Sequence, residues 1–86
     1  MNTQQKHNLT EFTKLLLEAK DVQALESVLC ALMTPSELRD IPNRLQIIRL
    51  LKQGTSQREI SKKLGVGIAT VTRGSKQLQS DTKSEL

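Results

Sequence analysis

Arg58, Lys62, Lys63, Arg73 and Lys76 fall between Ser56 and Gln79 against a single acid, Glu59, and Thr70, Thr72 and Ser75 stand among them. Cations at this density, interleaved with short hydroxyl side chains that can donate and accept, suit phosphate oxygens and the polar edges of bases. The bias is regional. Residues 44–86 carry nine Lys or Arg and three acids, whereas residues 1–43 carry four and six. A charge bias alone describes a solvated face as readily as a polyanion site. The elements that position these side chains have to decide between the two.

Ser56-x-x-Glu59 has the form of a capping box, in which a hydroxyl accepts from the third helical amide and the acid reaches back. The spacing predicts a helix over 57–64 with Ile60 and Leu64 inward, ended by Gly65. A second helix begins near Gly67 or Ile68 and presents Val71 to the core, and Ser61 is small where the two helices approach. Two short helices, a Gly-containing turn and apolar anchors at Ile60, Leu64, Val66 and Val71 make the pattern of a helix-turn-helix over 56–79. On the basic half of the chain, that conjunction favours DNA over a purely structural hairpin. Helix N-termini direct free amides outward, so Gln57, Arg58 and the amides of Gly67 and Ile68 are expected as phosphate clamps, with Lys76 a further cation on the DNA side. Ile68, Ala69, Thr70 and Thr72 are expected to face the major groove, through thymine methyl contacts, direct hydrogen bonds or a bridging water. Long bidentate readers are sparse there, which shifts specificity towards water and groove shape.

The rest of the chain is read as support for this unit. Its 86 residues, with one Phe and neither Tyr nor Trp, allow one small aliphatic core and one domain. Residues 1–8 are expected as a disordered arm, 9–53 as dimerisation helices and 80–86 as a polar tail. Asn8-x-x-Glu11 is a capping box for a first helix with Phe12, Leu15, Leu16 and Ala19 on one stripe, and Asp21 caps a second with Val22, Leu25, Val28, Leu29 and Leu32. Thr34-Pro35-Ser36-Glu37 starts a third, whose inward face is Leu38, Ile41, Leu45, Ile48 and Leu51 and whose left-handed stop is Gly54. Pro42 has no amide to donate to the carbonyl of Leu38 and collides with it, predicting a kink or break near 39–41. The expected fold class is therefore all-α, five short-to-medium helices with a C-terminal helix-turn-helix, paired as a homodimer.

Other chemistry is poorly provided for. No nucleophile, base and orienting group occur together, so an enzyme is not expected. His7 lies in the ragged start without partners at ligand spacing, and no metal site is expected. Cys30, amid apolar neighbours, reads as a small core residue. The lone cysteine and the lack of a membrane-length apolar run or signal peptide point to a cytoplasmic protein with no membrane partner.

"MTPSELRDIPNRLQIIRLLKQG" followed by "SQREISKKLGVGIATVTRGSKQL" resembles the core of the bacterial Trp repressor family over residues 29–78. The resemblance implies two chains interlocked through their N-terminal helices, each helix-turn-helix reading one half-site of double-stranded operator DNA. It further implies L-tryptophan as a corepressor that sets the separation of the reading heads, with tryptophan biosynthesis or uptake genes as targets, and no other cofactor. By position, Arg44 and Arg73 match the arginines that sandwich the indole, and Arg73 also meets the ligand carboxylate. A planar guanidinium can do both, which lysine cannot. Without the resemblance, Arg44 reads as a surface helix residue and Arg73 as a phosphate contact. Thr34 matches a residue near the indole and carboxylate, Ile47 and Thr70 match pocket-lining positions, and Gly74 is expected to leave space beside the ligand.

The chain also departs from the family pattern. Gln77 places a long amide where the repressor proper has a Ser facing the ligand amino group. One residue, Thr55, separates Gly54 from Ser56, one fewer than in the well-known enteric repressor. "QSDTKSEL" is polar where the repressor proper continues into a last amphipathic helix, so the dimer is expected to rely on helices one to three. A DNA-binding dimer of this family that ignores tryptophan stays open as the alternative.

Overall fold

The computed structural model describes residues 1–80, with side chains to Leu78. These form five helices, α1 (Thr3–Leu17), α2 (Val22–Leu32), α3 (Pro35–Lys52), α4 (Gln57–Leu64) and α5 (Ile68–Ser80), with no strand among the described residues. The chain divides into two compact units, Met1–Leu38 and a second from Arg39 onward. Of the expected polar tail at 80–86, Ser80 is the last residue of α5, and residues 81–86 lie outside the described residues.

In the first unit the helix start differs from the sequence reading. The side chain of Asn2 accepts from the amide of Gln5 at 2.8 Å and Gln5 returns an acceptor to the Asn2 amide at 3.0 Å, so the box forms six residues earlier than expected. Residues 3–8, expected as a disordered arm, are helical. Asn8 sits inside α1, where its Oδ1 accepts from Gln4 Nε2 at 2.9 Å. The reason is cooperative. Once one turn exists, each added residue without Gly or Pro gains a backbone bond with no new nucleation cost, and none of residues 3–8 is a breaker.

Asp21 caps α2 as expected, accepting from the amide of Ala24 at 2.8 Å. Neither α1 nor α2 contains a buried residue. Phe12, Leu16, Leu25, Val28 and Leu29 are half-buried, while Leu15, Leu17, Val22 and Leu32 are exposed. Cys30, expected in the core, is exposed, because it lies off the stripe defined by Leu25, Val28 and Leu29.

Thr34 and Glu37 make the expected reciprocal cap of α3, at 3.2 Å and 2.8 Å. Of the kink or break predicted near 39–41, the break does not occur: α3 runs unbroken through Pro42. One missing donor and a local clash cost a few kcal/mol. They are opposed by a capped start and by Ile47 and Ile48, which are buried one to two turns downstream. Ile41, placed on the inward face by periodicity, is exposed, whereas Ile47 is almost wholly buried.

The second unit has a true core. Ile47 of α3, Ile60 of α4 and Val71 of α5 are each at most 1% exposed, and Leu50, Leu51, Leu64 and Val66 pack around them. The left-handed stops fall where expected, at Gly54 (φ 87°) and Gly65 (φ 66°), a region that side chains with a Cβ rarely enter.

Candidate functional site

The helix-turn-helix is built as the spacing predicts. Ser56 caps α4 by accepting from the amide of Glu59 at 3.2 Å. The amide of Gly65 closes α4 onto the carbonyl of Ser61, which also accepts from Val66 at 3.2 Å. The Ser61 hydroxyl donates back to the carbonyl of Val66, so one small residue holds both backbone polar groups of Val66. Gly67 then offers its carbonyl to the amides of Thr70 and Val71. Gly67 has no side chain with which to cap the amide of Ala69, and the first two amides of α5, at Ile68 and Ala69, have no intrahelical acceptor.

The residues expected at DNA divide by exposure. Arg58, Gly67, Ile68, Ala69 and Lys76 are exposed, while Gln57, Thr70 and Thr72 are half-buried. The hydroxyl of Thr72 is engaged inside the unit, donating to Gln57 Oε1 at 2.9 Å and lying 3.0 Å from the carbonyl of Ile68. Sequence reading placed Gln57 and Thr72 at DNA separately and did not join them. Their positions, at the start of α4 and the second turn of α5, are neighbours only once the turn is closed.

Beside this unit lies a cleft of about 670 Å³. One wall is α3, with Arg39, Asp40, Asn43, Arg44 and Ile47; another is the end of α4 and the turn, from Leu64 to Gly67; the third is α5, with Thr70, Arg73, Gly74 and Gln77. Six of the seven residues expected around a small ligand, Arg44, Ile47, Thr70, Arg73, Gly74 and Gln77, thus line one cavity. The seventh, Thr34, belongs to the first unit, where it caps α3. Asp40 and Asn43 were missed, although positions 40, 43, 44 and 47 share one helical face. Gly74 differs from its expected role. It is buried, and a Cβ there would stand 2.6 Å from Ile47 Cγ2, so the missing side chain admits Ile47 and not open space.

Arg44 and Arg73, each with a planar fork of donors, line the cleft together with Ile47. Arg73 Nη2 lies 3.5 Å from Thr70 Oγ1, and Arg39 Nε pairs with Asp40 at 3.0 Å, with both side chains more than half exposed. A guanidinium can stack on a flat aromatic face and fork onto a carboxylate. No group of three or more potential metal ligands occurs among the described residues, and His7 is exposed. No helix of the described residues is long and apolar enough to cross a membrane.

Comparison with known proteins bears on this arrangement. The family model described as Trp repressor protein matches residues 7–85. The chain belongs to the Trp repressor family. It is 45% identical over 76 residues to a Trp operon repressor homolog of Vibrio parahaemolyticus, covering 87% of this chain and 74% of that protein. A Trp operon repressor homolog of Vibrio cholerae is 46% identical over 72 residues, covering 83% and 70% respectively. The Trp repressor family is one of DNA-binding regulators and not of enzymes, and this member is a Trp-repressor-like transcriptional regulator.

Proposed function

We propose that this Trp repressor family member is a cytoplasmic, homodimeric repressor that binds operator DNA through α4 and α5 and takes L-tryptophan as corepressor, acting on genes of tryptophan biosynthesis or uptake. The observation that carries the reading is the composition of the cleft wall. Gly65, Val66 and Gly67 line the cavity, and Gly67 is also the residue from which α5 starts. A ligand there touches the element that orients the reading helix, which is what coupling between two sites requires.

In this reading Arg44 and Arg73 stack on the indole and Arg73 also forks onto the carboxylate, with Ile47 and Thr70 against the ring. Arg58, Lys76 and the amides of Ile68 and Ala69 meet phosphates, and Ile68, Ala69 and Thr70 face the groove. Pairing of two chains is supported by α1 and α2, whose apolar stripes are at most half-buried within one chain. The second reading, a DNA-binding dimer indifferent to tryptophan, draws on Gln77, which lines the cleft with a long amide.

Calorimetric titration with L-tryptophan, paired with operator titrations at fixed salt, separates the two. Saturable heat together with tighter DNA binding is expected. Absence of heat with DNA binding retained selects the ungated dimer, and absence of DNA binding rejects both.

A further inference from the structure

Among the described residues that line the cleft, Arg39, Arg44 and Arg73 are cations and Asp40 is the one acid. Three guanidiniums alone would draw any anion of suitable shape. With the indole and carboxylate of tryptophan assigned to Arg44 and Arg73, the ligand's ammonium, which has three donors and no acceptor, still needs a partner. Ammonium and carboxylate of an α-amino acid stand on one carbon, so the group that takes the first must share a cavity with the guanidinium that takes the second. Asp40 does so. It lies one turn before Arg44 on the face of α3 that also carries Ile47, and its side chain is 54% exposed, within reach of a ligand. Arg39 Nε donates to Oδ1 at 3.0 Å. A carboxylate accepts at about four lone-pair sites, so that one bond leaves most of its capacity. The other side-chain acceptors on the wall, Asn43, Thr70 and Gln77, are neutral.

We propose, on the tryptophan reading above, that Asp40 is a specificity-determining residue of the cleft: its carboxylate receives the ligand's ammonium and raises the preference for a zwitterionic α-amino acid over an aromatic acid that lacks the amino group. The zwitterion gains a charge-assisted hydrogen bond at Asp40. The plain acid, which carries net negative charge, meets a like charge there and is disfavoured.

The test titrates the full chain calorimetrically, at fixed salt, with L-tryptophan and with indole-3-propionate, the same skeleton without the ammonium. Asp40→Asn keeps the shape and removes the charge. It is expected to shift the ratio of the two affinities towards indole-3-propionate by about three- to tenfold, the scale of a solvent-accessible ion pair lost on one ligand and a repulsion lifted from the other. Asp40→Glu restores most of the parental ratio. Arg39→Gln releases Oδ1 and removes a competing cation, so it should move the ratio the opposite way, towards L-tryptophan. If Asp40 served only to hold Arg39 or to steady α3, Arg39→Gln would shift the ratio in the same direction as Asp40→Asn, and this would overturn the proposal. So would equal losses for the two ligands in Asp40→Asn. A parent that binds neither ligand overturns the tryptophan reading and the proposal with it, whereas a parent that binds L-tryptophan with a ratio indifferent to Asp40→Asn overturns the proposal alone.

Discussion

Gly74 and Ile47 meet so closely that no side chain fits between them: a Cβ on Gly74 would lie 2.6 Å from Ile47 Cγ2, and Ile47 is 1% exposed. The contact joins α5 to the part of α3 that carries Arg44, and both residues line the cleft. Gly74→Ala is therefore expected to destabilise the protein by about 1–3 kcal/mol, the usual cost of overpacking a core. Chemical denaturation measures it. Combining Gly74→Ala with Ile47→Ala removes the clashing methyl, so the double variant should lose less than the sum of the single losses. Additive losses would mean that the two residues do not oppose each other.

Arg73 is exposed on α5 and is also a cleft residue, which gives it two separable tasks. Arg73→Ala should weaken DNA and tryptophan binding together. Arg73→Lys keeps the charge and loses the planar fork, so it should hold DNA with a salt dependence close to that of the parent while the calorimetric signal with L-tryptophan disappears. A lysine variant that still binds tryptophan would place the indole and carboxylate elsewhere.

Legibility in the sequence followed the range of the interaction. Ser56, Gly65 and the span of α4 were readable because caps and left-handed stops are set by residues three or four apart. The grouping of Arg44 with Arg73 was not readable from spacing, and came from the resemblance to a family whose motif contains both. Residues 3–8 misled because two capping boxes of the same form compete, at Asn2 and at Asn8, and local pattern cannot rank them. Pro42 misled for the opposite reason, since its local cost is offset by Ile47 and Ile48, whose burial is a tertiary fact. The bond between Thr72 and Gln57 and the clash behind Gly74 depend on helices brought together by the fold, and no periodicity announces them.

The apolar residues of α1 and α2 predict association. Leu29 is only half-buried in one chain, so a carboxylate there would cost little in a monomer. In a pair that covers this stripe the same charge is desolvated without a partner, at several kcal/mol. Sedimentation equilibrium at micromolar concentration should give two chains for the parent, and Leu29→Glu should shift it to monomer with a lower melting temperature. For the parent, that temperature should rise with protein concentration. A parent sedimenting as a single chain would reject the pairing.

Gln77 sets the strength of the switch. It lines the cleft on α5, one turn beyond Arg73, where the family's repressor proper carries a small hydroxyl. A ligand shifts an equilibrium only by its differential affinity for the two states, so a long amide in the cleft wall where a small hydroxyl would stand leaves less binding energy for the DNA-competent arrangement. Arg58 and Lys76 are not part of the cleft lining, so their phosphate contacts do not depend on the ligand, and ligand-free binding should persist and fall steeply with salt. Gln77→Ser is then expected to raise the tryptophan-dependent gain in operator affinity by about five- to tenfold, within the usual range of coupling energies, with ligand-free affinity unchanged. Operator titrations at fixed salt, with and without L-tryptophan, on the parent and on Gln77→Ser, measure both quantities. If neither protein answers to tryptophan, the corepressor reading falls and the ungated dimer stands in its place.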